Sequence, residues 1–272
     1  MNISILKNNP LIKRFFLNLP LITKILVGVW FGTMTAVPIA IWSIGEQTIP
    51  MTMLLGTLCQ AAVVVSILVP VWGWPRTLLS FLAVGLMGWL AEFIGTATGL
   101  PFGHYFYTPL LQPQIARVPL LVPIAWFILL PACWRLAEMI YGHDGKRWIK
   151  ASIAAFGMLT WDLLLDPQMV KWGFWVWENI PDISWFGIPF LNYFGWFIVS
   201  FLMTFILNPP SLENSGSALW LVFAITWFLE TFGLLFFWGL PGPAIGGGLI
   251  MGGLMAWALW NLMKKDRTNS YD

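Results

Sequence analysis

The sequence predicts an all-α polytopic integral membrane protein, a single membrane domain over residues 1–272 with about eight transmembrane helices. Composition is the first ground: 58% of the 272 residues are hydrophobic, only 10% are charged, and the mean hydropathy is +0.77. Those values leave no place for an ordinary soluble domain. Segment length is the second. The apolar runs reach the roughly 20 residues that a ~30 Å hydrocarbon core requires, and they are too long and too unalternating for a β-barrel. A helix satisfies its own backbone hydrogen bonds in lipid. Charge placement is the third. With the N-terminus cytoplasmic, Lys7, Lys13, Arg14, Lys24, Arg76, Arg135, Lys146, Arg147, Lys150, Lys264, Lys265 and Arg267 fall inside, and only Arg117 and Lys171 fall outside. That asymmetry fits the positive-inside rule, and an even helix count returns the C-terminus to the cytoplasm. The net charge of +2 therefore reports orientation and gives no sign of nucleic acid.

The first span, 22–44, follows a basic N-terminus without a small-residue cleavage site, which reads as an uncleaved start. Spans 51–72 and 77–97 come next. The second of these carries a stripe of Gly85, Gly88, Glu92, Gly95 and Gly99 on one helix face. Such a stripe lets a neighbouring helix approach closely, or admits a flat, rigid chain beside the carboxylate. Span 119–141 is followed by 148–166, where Asp162 and Asp166 stand at i, i+4 on one face and Pro167 marks the outer end. Spans 188–207, 217–240 and 243–263 complete the set. Glu230 lies near the middle of the seventh, and the glycine-rich start of the eighth has no preceding strand, so it reads as a packing face rather than a dinucleotide loop.

Two outer loops, residues 98–118 and 167–187, are too apolar to be solvated linkers. Their Trp, Tyr and Phe suit the membrane interface, or a lid over the carboxylates, since non-helical backbone at that depth is tolerated only against protein or water. The pattern W-x-x-E-x-x-G, then G-L-P, occurs at Trp89, Glu92 and Gly95 and again at Trp227, Glu230 and Gly233. It suggests a four-plus-four repeat about an axis along the membrane normal. Cys59 and Cys133 read as inert core thiols.

Glu92, Asp162, Asp166 and Glu230 thus fall in the same half of the membrane. A carboxylate at mid-bilayer costs about 2.5–3.5 kcal/mol on insertion scales, so it persists mainly where it has a partner or a task. Four in one layer suggest a polar cavity acting on something lipid-soluble. A close buried pair favours a shared proton, and a carboxyl that keeps its proton is what a general acid needs. His104 and His143, the two histidines, lie on opposite sides of the membrane, which excludes a histidine-rich di-iron centre. A single Asp-x-x-x-Asp without a second Asp-rich motif argues against magnesium-diphosphate chemistry.

Four motifs together resemble the carotenoid biosynthesis hydratases, which comprise cyanobacterial-type carotenoid 1′,2′-hydratases and archaeal bisanhydrobacterioruberin hydratases. They are EFIGTATGLPFGHYFY from Glu92 to Tyr107, WDLLLDP from Trp161 to Pro167, Trp175-x-Trp177-Glu178, and G-I-P-x-x-N-Y-x-G-W from Gly187 to Trp196. The resemblance covers roughly residues 75–260. It implies addition of water across the terminal double bond of an acyclic carotenoid end, a cofactor-independent hydro-lyase reaction. It also implies a carotenoid substrate within the bilayer and a downstream carotenoid glycosyltransferase as partner. The cell membrane is the expected location, with a thylakoid or other internal membrane as the alternative.

The chemistry assigns Asp162 as proton donor with Asp166 holding the shared proton, and Glu92 and Glu230 positioning water or substrate; the converse, with either glutamate as the acid, is open. The side chains expected to touch substrate are Tyr105, His104, Trp172, Trp175, Trp177, Asn192 and Tyr193. Two other classes fit the same residues: an isoprenoid or carotenoid cyclase, and a proton-coupled transporter or lipid carrier. A transporter would need polar residues along a path through both halves, where the inner half offers little beyond Gln60 and Asn208.

Overall fold

A computed structural model describes residues 19–215 and 217–269, with side chains through Lys264. Lys7, Lys13 and Arg14 lie outside the described residues, as do the side chains of Lys265 and Arg267. Among the described residues seven helices are long and apolar enough to cross a membrane: α1 (Leu21–Ser43), α2 (Ile49–Thr98), α3 (Leu121–Tyr141), α4 (Arg147–Lys171), α5 (Phe190–Leu207), α6 (Ala218–Phe236) and α7 (Pro241–Asn269).

The eight expected crossings are reconciled with seven helices by α2. Its 50 residues would extend about 75 Å if straight, more than twice the hydrocarbon core. Instead the backbone breaks at Gly73 (φ 76°, ψ 162°), and the chain folds back. Gln60 on the first leg and Glu92 on the second consequently line one cavity. The turn has a local cause. Pro75 disfavours helical backbone at Trp74, and Gly73 adopts a positive φ without a Cβ penalty.

The bundle has two faces. One carries the Gly73 turn and the short connections α3–α4 and α5–α6. The other carries the two long aromatic loops and is termed the loop face. Eight crossings place Leu21 and Lys264 on the Gly73 face. Helices α3 and α4 form the centre: 78% and 67% of their apolar windows are buried, against 22% for α1 and 39% for α2, α5, α6 and α7.

The glycine stripe serves helix and loop packing and leaves no slot for a substrate. A Cβ at Gly88 would stand 2.9 Å from the Trp126 ring, and one at Gly95 would stand 2.7 Å from Phe102. The glycines of α7 are likewise a packing face, with Gly247 against Leu164 and Gly246 against Trp185. Pro167 does not end its helix as expected, because α4 continues to Lys171. A proline at 167 leaves the carbonyl of Leu163 without its i+4 donor, and the indole N–H of Trp185 donates to that carbonyl at 3.0 Å. The donor comes from the following loop.

The long loops contain short strands. β1 (Tyr105–Tyr107) pairs antiparallel with β4 (Trp175–Trp177), in the register Tyr105 to Trp177, Phe106 to Val176 and Tyr107 to Trp175. Each loop then ends in a two-residue hairpin, β2 (Gln114–Ile115) with β3 (Val118–Pro119) and β5 (Ser184–Trp185) with β6 (Ile188–Pro189). The turn residues Ala116, Arg117, Phe186 and Gly187 all have positive φ, which matches the right-handed strand twist.

The inner layer holds more polarity than the sequence reading allowed. Glu138 is buried on α3, where it pairs with Arg135 at 3.4 Å and accepts the N–H of Leu212 at 3.0 Å. This cluster secures the α5–α6 connection.

Candidate functional site

A cleft beneath the β1–β4 ribbon encloses about 940 Å³ of non-atom space, its open mouth included. Glu92, Asp162, Asp166 and Glu230 all line it, contributed by α2, α4 and α6. Among the described residues no Lys, Arg or His lines it, so the carboxyls are met by neutral donors. Glu92, Asp162 and Asp166 are 3%, 1% and 2% exposed, whereas Glu230 is only partly buried.

Each carboxyl is held differently. The phenols of Tyr105 and Tyr107 both donate to Glu92 Oε2, the second at 2.8 Å. The indole of Trp126 donates to Oε1 at 3.3 Å. Both oxygens of Glu92 are thereby occupied. Burial holds the Tyr105 and Tyr107 phenols well above the usual tyrosine range, and the neighbouring Glu92 charge adds to the shift, so both remain donors. Asp166 accepts the Trp175 indole N–H at Oδ1 and the amide of Asn192 at Oδ2, 2.6 Å away.

Asn192, near the start of α5, donates through the same Nδ2 to Asp162 Oδ2, also at 2.6 Å. The other oxygen, Asp162 Oδ1, is buried with no hydrogen-bond partner among the described residues. The indole nitrogens of Trp161 and Trp177 are buried without a hydrogen-bond partner among the described residues.

The strand pairing explains how two loops deliver these rings. Successive strand residues point to opposite faces, so Tyr105, Tyr107, Trp175 and Trp177 face the cleft, while Phe106 and Val176 are 46% and 41% exposed. Ring pairs lie directly across the ribbon: Tyr105 and Trp177 are 4.9 Å apart by centroid, Tyr107 and Trp175 5.6 Å. Below them Trp126 stacks on Trp196 at 4.1 Å, and Trp161 stands perpendicular to Trp196 at 6.0 Å. Trp161 and Trp196 both line the cleft. Indole faces attract positive charge, so the cleft combines acids with a surface that suits a carbocation.

Of the side chains expected to touch substrate, Tyr105, Trp175, Trp177 and Asn192 line the cleft, although the Asn192 amide is committed to the two aspartates. Tyr193 is buried next to them, its hydroxyl without a partner among the described residues, and is not a lining residue. His104 is exposed and packs over Gly99, away from the carboxyls. Trp172 lines neighbouring clefts instead. Sequence reasoning did not count Tyr107 or Trp126 among the site residues, and it placed Gln60 in the inner half, whereas Gln60 lines this cleft and bonds to Thr226 at 3.0 Å. Period-two spacing from Tyr105 is the signal that points to Tyr107. No group of three or more His, Cys, Asp and Glu among the described residues is arranged to hold a metal ion.

The two W-x-x-E copies do bring Glu92 and Glu230 to one cleft. Past the glutamates the copies diverge: Gly99 caps α2 before the long loop, while α7 starts at Pro241, directly after the second G-L.

A sequence model of the family described as "Carotenoid biosynthesis protein" matches residues 49–254. The chain is also 30% identical over 125 residues to a protein named bisanhydrobacterioruberin hydratase from Haloarcula japonica. That match covers 45% of this chain and 42% of the relative, so it spans less than half of the relative's length. No solved structure matches.

Proposed function

The chain belongs to the carotenoid biosynthesis protein family, and from that premise we propose that it is a hydratase of acyclic carotenoid ends. The observation that carries the reading is Asp162: one oxygen is tied to Asn192, and the other is buried on the cleft without a partner among the described residues. Glu92 and Asp166 have both oxygens engaged. The relative's printed name supports the same chemistry.

Asp162 delivers its proton to the less substituted carbon of the terminal alkene. The π pair forms the new C–H bond and leaves a tertiary cation facing Trp161 and Trp196. A water adds through oxygen to the cationic carbon and yields a proton to Glu230, giving a tertiary alcohol. A proton returned from Glu230 to Asp162 through water closes the cycle. Asp166 and Asn192 position Asp162, and the Tyr105, Tyr107 and Trp126 donors fix Glu92 as the wall of the cleft. Burial strengthens each of these electrostatic contacts.

The test is expression in a host that accumulates an acyclic carotenoid, followed by mass analysis of the pigments. A gain of one water supports the hydratase. An unchanged mass with shifted absorption would indicate a cyclase, and an unchanged pigment would overturn the enzyme reading for that substrate.

A further inference from the structure

A second cleft opens off the acid site between α1 and α6. It shares Met34, Met53 and Glu230 with the first, so the two adjoin and Glu230 faces both. Thr35 of α1 and Gln168 of α4 are its other polar residues, and the rest of its walls are apolar or aromatic, with Phe31 and Pro38 from α1 and Phe228 and Phe232 from α6. The rings of Phe31 and Phe228 stack across it at 6.4 Å. These are also outward-facing residues: Phe31, Phe228 and Phe232 are 38%, 45% and 40% exposed. In a membrane-spanning bundle that exposure is toward lipid. From Phe228 to the end of α6 at Phe236 the cleft runs about 12 Å at 1.5 Å per residue, and Phe237 just beyond the helix also lines it.

We infer that this α1–α6 cleft is the binding groove for the conjugated chain of the substrate, which enters sideways from the bilayer with its reactive end reaching the four carboxyls. The inference rests on the proposed hydratase reading and adds the route and the subsite. A molecule dissolved in lipid has no reason to leave the bilayer and pass the β1–β4 ribbon on the loop face. The groove is open to lipid, lined by flat rings and methionines that suit a planar polyene, and it ends where the acids begin. Elsewhere the acid cleft is walled by Trp196, which stacks on Trp126, and by the tyrosines on Glu92.

Thr35 is the position to test. It is exposed and lines the groove, so Thr35→Trp fills the groove without touching the carboxyls or the bundle centre. KM and kcat are measured for a full-length acyclic carotenoid and for a short acyclic terpenoid bearing the same terminal alkene. With the chain displaced from its apolar contacts, KM for the long substrate rises by about tenfold or more, while the short substrate changes by less than about twofold and kcat holds for both. Unaltered KM for the long substrate, or equal losses for both substrates, overturns the groove assignment. Quenching of tryptophan emission by the bound polyene separates the two readings. Wild-type protein that binds a polyene, loses it in Thr35→Trp and hydrates nothing supports the groove and sinks the hydratase. Polyene binding that survives Thr35→Trp overturns the groove.

Discussion

Asp162 and Asp166 share a single amide: Nδ2 of Asn192 donates to Oδ2 of each at 2.6 Å. One turn of α4 sets the two carboxyls side by side, and α5 supplies the donor between them. The remaining oxygens then differ, since Trp175 holds that of Asp166 while that of Asp162 has no partner among the described residues. Two chemically identical side chains are distinguished by what surrounds them.

That asymmetry makes Asp162→Asn the most informative substitution. Turnover should fall by about 10²–10⁴-fold, the usual contribution of a positioned acid, while carotenoid binding and expression persist because amide and acid are close in size. Asp166→Asn should cost less. In heavy water the wild-type product should carry one non-exchangeable deuterium on the carbon next to the alcohol carbon. Full activity in Asp162→Asn, with a dead Glu230→Gln, would move the acid to Glu230.

Asn192→Leu removes the shared donor and leaves two buried acceptors unmet. A buried polar group deprived of its partner costs about 1–3 kcal/mol, so thermal unfolding in detergent should shift down measurably. Activity should fall along with it. Asn192→Asp should fare worse still, because it adds a third carboxyl to the pair. Equal melting temperatures in wild type and Asn192→Leu would show that the bridge is not made in the membrane.

Tyr105 and Tyr107 both donate to one oxygen of Glu92, so either phenol should partly cover for the other. Tyr105→Phe and Tyr107→Phe should each be mild, with the double variant costing more than their sum. Burial raises both phenols above the usual tyrosine value. Their share of stability is therefore complete below about pH 10, where unfolded tyrosine ionises, and is lost as pH climbs beyond it. Tyrosinate absorbance from these two rings should appear only together with unfolding. A reversible titration of both near pH 10 in the folded protein would contradict the buried geometry.

Trp185→Phe deletes the donor to the Leu163 carbonyl that Pro167 leaves free. The expected loss is about 1 kcal/mol, restored in part by pairing it with Pro167→Ala, which returns an amide N–H to that carbonyl. Additive losses in the double variant would mean that Trp185 acts through packing alone.

Activity should persist in the presence of a chelator and without added nucleotide, as the proposed proton transfers use side chains and water only. Loss on chelation, reversed by one metal ion, would overturn that scheme.

Hydropathy and charge placement were enough to establish the helical membrane class and the approximate spans, because lipid forces each apolar run of about 20 residues to satisfy its own backbone. The i, i+4 spacing alone put Asp162 and Asp166 on one face, and the loops declared themselves by their rings. What the linear order could not express was pairing at a distance. The cross-pairing of Tyr105 with Trp177 depends on hydrogen bonds between two loops separated by two helices, and only that ribbon turns Tyr105 inward while His104 remains exposed. The amide of Asn192 suits a substrate contact in the sequence, whereas α5 brings it between the aspartates. Pro167 looked like a helix end because its own lost bond is local, whereas the Trp185 indole that replaces it arrives from the next loop. Local periodicity records which groups lack partners. The identity of those partners is settled by packing, since a buried donor or acceptor takes whichever group the fold brings within reach.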